Sequence, residues 1–144
     1  NEEDVKAVMR VPWVSIGSDG SALNLKYPGK PHPRSFGTNP RVLGKYTRDE
    51  KVLSLEDAVR KMTSMPAQVL GLKDRGLLRE GFWGDIVLFD PDSVADMATY
   101  ENPKQYPKGI DYVLVNGTVV VDNGHHTGAR PGRVVYGPGW RGVN

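Results

Sequence analysis

Apolar residues recur with a helical period at two places in the first half of the chain. Val5, Val8 and Met9 are spaced i, i+3, i+4 within the charged opening stretch NEEDVKAVMR and predict a short helix with one apolar face. Leu55, Ala58, Val59 and Met62 recur at i, i+3, i+4, i+7 and predict a second helix with a buried stripe. Ser54 stands at its N-cap position, and Asp57 puts negative charge in its first turn. Ser64 and Pro66 restart the chain as a further short helix, with Gly71 just past its end. Before these, WVSIG at residues 13 to 17 reads as a short buried strand. Residues 20 to 53 are punctuated by Pro28, Gly29, Pro31, Pro33, Gly37, Pro40 and Gly44 and read as one long loop without regular structure.

From Leu77 onward the period becomes two. GDIVLFDP reads as a strand bounded by Gly84 and Pro91. In DYVLVNGTVVVDNG two β-branched runs flank Asn116-Gly117, a pair that supplies the positive φ angles of a type I′ hairpin turn. GRVVYG reads as a last strand. Three or four such strands leave open edges, so they are expected to extend a sheet completed by other residues. The chain thus divides into residues 1–72, read as strand, loop and helices, and residues 73–144, read as antiparallel β-structure.

Composition narrows the function classes. The 144 residues carry 19 basic and 17 acidic side chains, interspersed, for a net charge of +2, and no basic stripe points to nucleic acid. No apolar run reaches the roughly 18 residues of a membrane span. The absence of cysteine excludes disulfides and thiolate metal sites and suits a cytoplasmic location. The chain starts at Asn1 with no apolar leader, and the expectation is that this is a cut or processed end of a longer protein.

Candidate chemistry begins at Ser18-Asp19-Gly20. Asp19 reads either as an ordinary turn former or as an acid at the C-terminal end of a barrel strand, the place where barrel enzymes keep their catalytic groups. In the stretch 31 to 46, Arg34, Arg41 and Lys45 sit among prolines and aromatics, and an arginine there could fork onto a substrate carboxylate. His32, between two prolines, reads as structural or as a base or ligand. His125 and His126 are adjacent, and neighbours on a strand point to opposite faces, so they are poorly placed to share one metal.

SDG followed by HPRSFGTNPRVLG, then SLEDAVRKMTSMPAQVLGL, GDIVLFDP, VNG and TGARPGRV in order resemble the C-terminal part of the D-aminoacylase (N-acyl-D-amino-acid deacylase) group of the metal-dependent amidohydrolases, over about residues 11 to 136. The helix and GDIV elements specify only the superfamily; SDG with HPR and PRVLG is more particular to the group. The resemblance implies an α/β plus β fold. Residues 1–72 would supply the last strand, active-site loop and helices of a (β/α)8 barrel, and residues 73–144 a share of a small β-sandwich. It implies that Asp19 is the general base and acid and a candidate metal contact, and that Arg34 holds the substrate α-carboxylate. It implies Zn²⁺ in the intact enzyme, whose water, acidified to a pKa of roughly 7, attacks the amide. The family's His-X-His pair and ligand cysteine do not occur in this sequence, and 144 residues fall short of the roughly 250 of a barrel. The segment alone is therefore expected to be inactive, to bind no zinc tightly, and to need the rest of the barrel or self-association. Two alternatives remain: a cyclic amidase of the dihydroorotase or hydantoinase kind, and a non-catalytic β-rich assembly module.

Overall fold

Asn1 opens the first helix of the computed structural model, which describes residues 1–142. The Asn1 side chain accepts from the Glu3 N–H at 2.9 Å. Glu2, Glu3 and Asp4 in the first turn and Arg10 in the last complement the dipole of α1 (Glu2–Arg10). The expected strand at residues 13 to 17 is not formed. A parallel strand exists through its ladder, and the only sheet among the described residues lies elsewhere in the chain. Trp13 is exposed, and Ile16 N–H donates instead to a helix carbonyl, Lys61 O, at 3.0 Å.

The long loop expected over residues 20 to 53 is also corrected. Its second half is helical: α2 (Arg34–Arg41) runs into a π-helix (Val42–Asp49). Pro28, Pro31 and Pro33 all precede α2, and Pro33 is its N-cap residue. Pro40 falls in its final turn, where its missing N–H removes one ladder bond. The chain then continues with the wider i→i+5 spacing, closing with Glu50 N–H on Lys45 O at 2.8 Å. The two glycines serve close packing. A Cβ on Gly44 would lie 2.6 Å from Val94 O, and one on Gly37 would overlap the Asp96 carboxylate.

Helices α3 (Leu55–Met62) and α4 (Ser64–Val69) form as the periodicity predicts. Ser54 Oγ accepts from the Asp57 N–H at 3.1 Å, and Gly71 takes a φ of +69°. The core lies on this side of the molecule: Val42, Tyr46, Val52, Leu53 and Ala58 are buried together, with Met9, Ile16 and Met62 packed against them.

The second half folds into one antiparallel sheet in the order β1 (Ile86–Phe89), β2 (Ile110–Val115), β3 (Thr118–Asp122), β4 (His125–His126). Asn116 and Gly117, at φ +49° and +79°, make the expected tight turn. Asn123 and Gly124, at +46° and +75°, repeat it between β3 and β4. GRVVYG does not become a strand. β4 is only two residues long and offers little edge to pair with, so Val134 and Tyr136 stay exposed, and Tyr136 stacks on Trp140. The segment after β1 ties sheet to helices: Val94 is fully buried and its carbonyl accepts from Arg48 Nη1 at 2.6 Å. Among the described residues no helix is long and apolar enough to cross a membrane.

Candidate functional site

Asp19 sits in the left-handed region at φ +48°, a conformation that asparagine and aspartate tolerate better than most residues. The residues on each side hold it there. Ser18 Oγ accepts from the Gly20 N–H at 3.2 Å, and Ser21 N–H donates to Ser35 Oγ at 3.3 Å. Gly20 is the contact point between this turn and the start of α2: a Cβ there would be 2.8 Å from Ser35 Cα and 3.1 Å from Arg34 O. Glycine at this position lets the acid-bearing turn lie directly on the first turn of α2.

Arg34 is the first residue of α2. Its Nη1 lies 2.9 Å from Asp19 Oδ2, so two residues fifteen positions apart form an ion pair at the surface. The carboxylate side chain is 86% exposed and the arginine 45%, which leaves both open to a ligand. The guanidinium has further N–H donors beyond the one on Asp19, aimed as a fork that fits a second carboxylate.

His32 is built into the support of this pair. Its Nδ1 accepts from the Arg34 N–H at 3.1 Å, and its Nε2 lies 3.0 Å from the Tyr100 hydroxyl. An imidazole that accepts at Nδ1 carries its proton on Nε2, so the ring donates to Tyr100. Both nitrogens are engaged, which favours the structural reading of His32. Arg41 pairs with Asp96 at 3.3 Å. Lys45 pairs with Glu2, and that hydrogen bond pushes the lysine up from its ordinary pKa. These two cations of the stretch 31 to 46 are therefore engaged away from Asp19. His125 and His126 occupy successive positions of β4, and His126 Nδ1 accepts from the Gly128 N–H at 2.9 Å.

Among the described residues no three His, Cys, Asp or Glu side chains converge on a point. Asp19 offers one carboxylate with Arg34 already beside it, and one carboxylate does not make a zinc site, which takes three or four ligands. The residues present do not fit a resident metal by themselves.

One charged side chain of α3 escapes a reading by periodicity. Lys61 is completely buried, and its Nζ donates to Val11 O at 2.6 Å and Val14 O at 2.9 Å. The available signal was its place three residues after Ala58, on the apolar stripe of α3.

Residues 3–121 match the Amidohydrolase family. The chain belongs to this family. It is 44% identical over 135 residues to an N-acyl-D-glutamate deacylase of Alcaligenes xylosoxydans xylosoxydans, covering 94% of this chain and 27% of that protein. It is 46% identical over 136 residues to an N-acyl-D-aspartate deacylase of the same organism, covering 94% and 26%. The structure superposes on an N-acyl-D-glutamate deacylase of Bordetella bronchiseptica with a TM-score of 0.77 at 46% identity, over 83% of this chain and 24% of that one. That relative was crystallised with zinc and a phosphonate inhibitor that mimics the tetrahedral intermediate of its reaction. This amidohydrolase chain spans about a quarter of the length of the relatives it matches.

Proposed function

We propose that these residues work as the C-terminal part of a longer amidohydrolase that cleaves the amide bond of N-acyl-D-amino acids. Asp19 is its proton-transfer residue and Arg34 the receptor for the substrate α-carboxylate. The observation that carries the reading is the contact of these two side chains at 2.9 Å. In an N-acyl amino acid the α-carboxylate and the amide nitrogen are bonded to the same carbon. A guanidinium that grips the carboxylate therefore brings the scissile amide within reach of an acid touching that guanidinium. Ionised Asp19 takes a proton from the attacking water as the carbonyl carbon becomes tetrahedral. It then gives the proton to the amide nitrogen, the C–N bond breaks, and a carboxylic acid and a free amino acid leave.

Zinc in the complete enzyme would be held by side chains outside these residues. In the same reading residues 1–72 close a (β/α)8 barrel, with residues 13 to 17 as a strand once barrel neighbours flank them. Residues 73–144 form part of a small β-sandwich, a reading supported by β1, whose neighbours Val87 and Leu88 are each about half exposed.

The test is made in the complete polypeptide. Asp19→Asn keeps the shape and removes the proton acceptor, and kcat on N-acyl-D-glutamate, N-acyl-D-aspartate and N-acyl-D-leucine should fall by about 10² to 10⁴ with zinc content retained. Retained kcat would sink the assignment, and turnover of cyclic amides in place of the N-acyl series would replace the substrate class.

A further inference from the structure

A buried lysine ammonium is costly unless every donor is matched, since water can no longer solvate it. Lys61 is the largest fully buried side chain of the described residues, and it lies on a helix stripe where an aliphatic residue would pack without that cost. What its ammonium touches is the segment that leads to Asp19. Nζ binds Val11 O and Val14 O, with Asp57 Oδ2 at 4.0 Å as the countercharge. The backbone carbonyl of the same residue accepts from the Ile16 N–H at 3.0 Å. Next to it, Arg60 Nη2 reaches Pro12 O at 2.9 Å while its Nε and Nη2 also bind Asp57. Four hydrogen bonds thus join two consecutive residues of α3 to residues 11 to 16, three donated by the side chains and one accepted by Lys61 O, in a stretch that has no strand ladder among the described residues, and Asp19 follows three residues later.

We propose that Lys61, with Arg60 beside it, is a positioning residue for the proton-transfer acid: it holds the segment carrying Asp19 at a set height against α3. The proposal rests on the reading of Asp19 given above. Donors aimed at backbone carbonyls constrain the height of the segment along the helix, which side-chain packing alone would not, and a shift of about 1 Å at a reacting group is enough to lower turnover by up to about 10²-fold.

The experiment uses the complete enzyme with zinc bound. Lys61→Met preserves length and apolar stem and removes the donors; Arg60→Met, at a partly exposed position, removes the bond to Pro12 O together with those to Asp57, leaves both Lys61 donor bonds to the segment in place, and keeps the test open if the first variant does not fold. The expected result is a fall in kcat of about ten- to a hundredfold for Lys61→Met, a smaller fall for Arg60→Met, and KM and zinc content unchanged. A residue acting through Asp19 also loses its effect when that acid is gone, so Asp19→Asn/Lys61→Met should be no slower than Asp19→Asn. Wild-type kcat in the folded variants, with losses confined to yield or melting temperature, overturns the proposal, as does a multiplicative loss in the double variant. If Lys61→Met does not fold, wild-type kcat in Arg60→Met overturns it. If Asp19→Asn itself keeps full kcat, the functional reading fails and this inference with it; if only Asp19→Asn is slow, the inference alone fails.

Discussion

The helical and the sheet regions of this chain are built to different degrees of completion. From the π-helix to α3 the apolar side chains meet one another, and Val42, Tyr46, Val52, Leu53 and Ala58 are withdrawn from water, with Met9 of α1 packed against them. In the four strands no residue is fully buried; Val87 and Leu88, which point to opposite faces of β1, are each about half exposed. The sheet nevertheless pairs its strands through ladders with one register shift each, between Leu88 and Phe89 and between Val113 and Leu114, and through two tight turns, so its strands pair their backbone groups without a core to lie on. Backbone pairing and side-chain burial are separate requirements, and here the sheet meets the first while the helices meet both. A sheet of this kind is normally one layer of a packed pair.

The contrast can be broken by mutation in the complete polypeptide. Met65, buried in the first turn of α4, should cost about 2 to 5 kcal/mol when cut to alanine. If other residues cover the sheet, Leu88→Ala will cost a comparable amount; if its face meets water, the loss should stay near the roughly 0.5 kcal/mol of a surface substitution. Denaturant midpoints of the two variants decide the matter, and a small Leu88 effect would remove the argument for a covering layer.

A smaller effect tests the seam between the regions. Gly44→Ala places a methyl group 2.6 Å from Val94 O, which is backbone and cannot swing away. The contact must open, at about 1 to 3 kcal/mol of overpacking, and the Arg48 bond to the same carbonyl should weaken with it. An unchanged melting temperature would mean that helices and sheet are not locked through Val94.

The parts of this fold legible in the sequence are those with a local cause. Asn116-Gly117 announces a turn because few other pairs accept two positive φ angles, and Ser54 announces α3 because its hydroxyl replaces a missing helix bond. The parts that were not legible depend on partners distant in sequence. WVSIG and GRVVYG have strand composition, but among the described residues no strand pairs with either. Gly37 and Gly44 looked like helix breakers because their use, admitting Asp96 and Val94, lies fifty or more positions away. At the site, Asp19 stands out from its setting only as a candidate, and its contact with Arg34 depends on Gly20 bringing the turn onto α2. Lys61 was hidden because a lysine on an apolar stripe is normally read as a polar interruption.

The smallest expected effect lies in the helical region, where the Glu2 carboxylate ties α1 to the π-helix alongside the Lys6–Glu50 ion pair at 3.0 Å. Glu2 is held below its ordinary pKa of 4.5, first by the hydrogen bond from Lys45 and then by the Tyr46 hydroxyl at 2.9 Å. Lys45 is raised above its ordinary 10.5 by the same bond. A depressed acid stabilises the fold above its unfolded pKa, and that contribution disappears as pH falls below 4.5 through the folded value. A raised base stabilises below its unfolded pKa, and that contribution disappears as pH climbs past 10.5. The pair is largely exposed, so salt should shrink both slopes. Glu2→Gln should flatten the melting-temperature profile at both ends while leaving its middle only slightly lower. A profile that changes at the acid end alone would show that Tyr46, and not Lys45, is the partner that holds α1 against the π-helix.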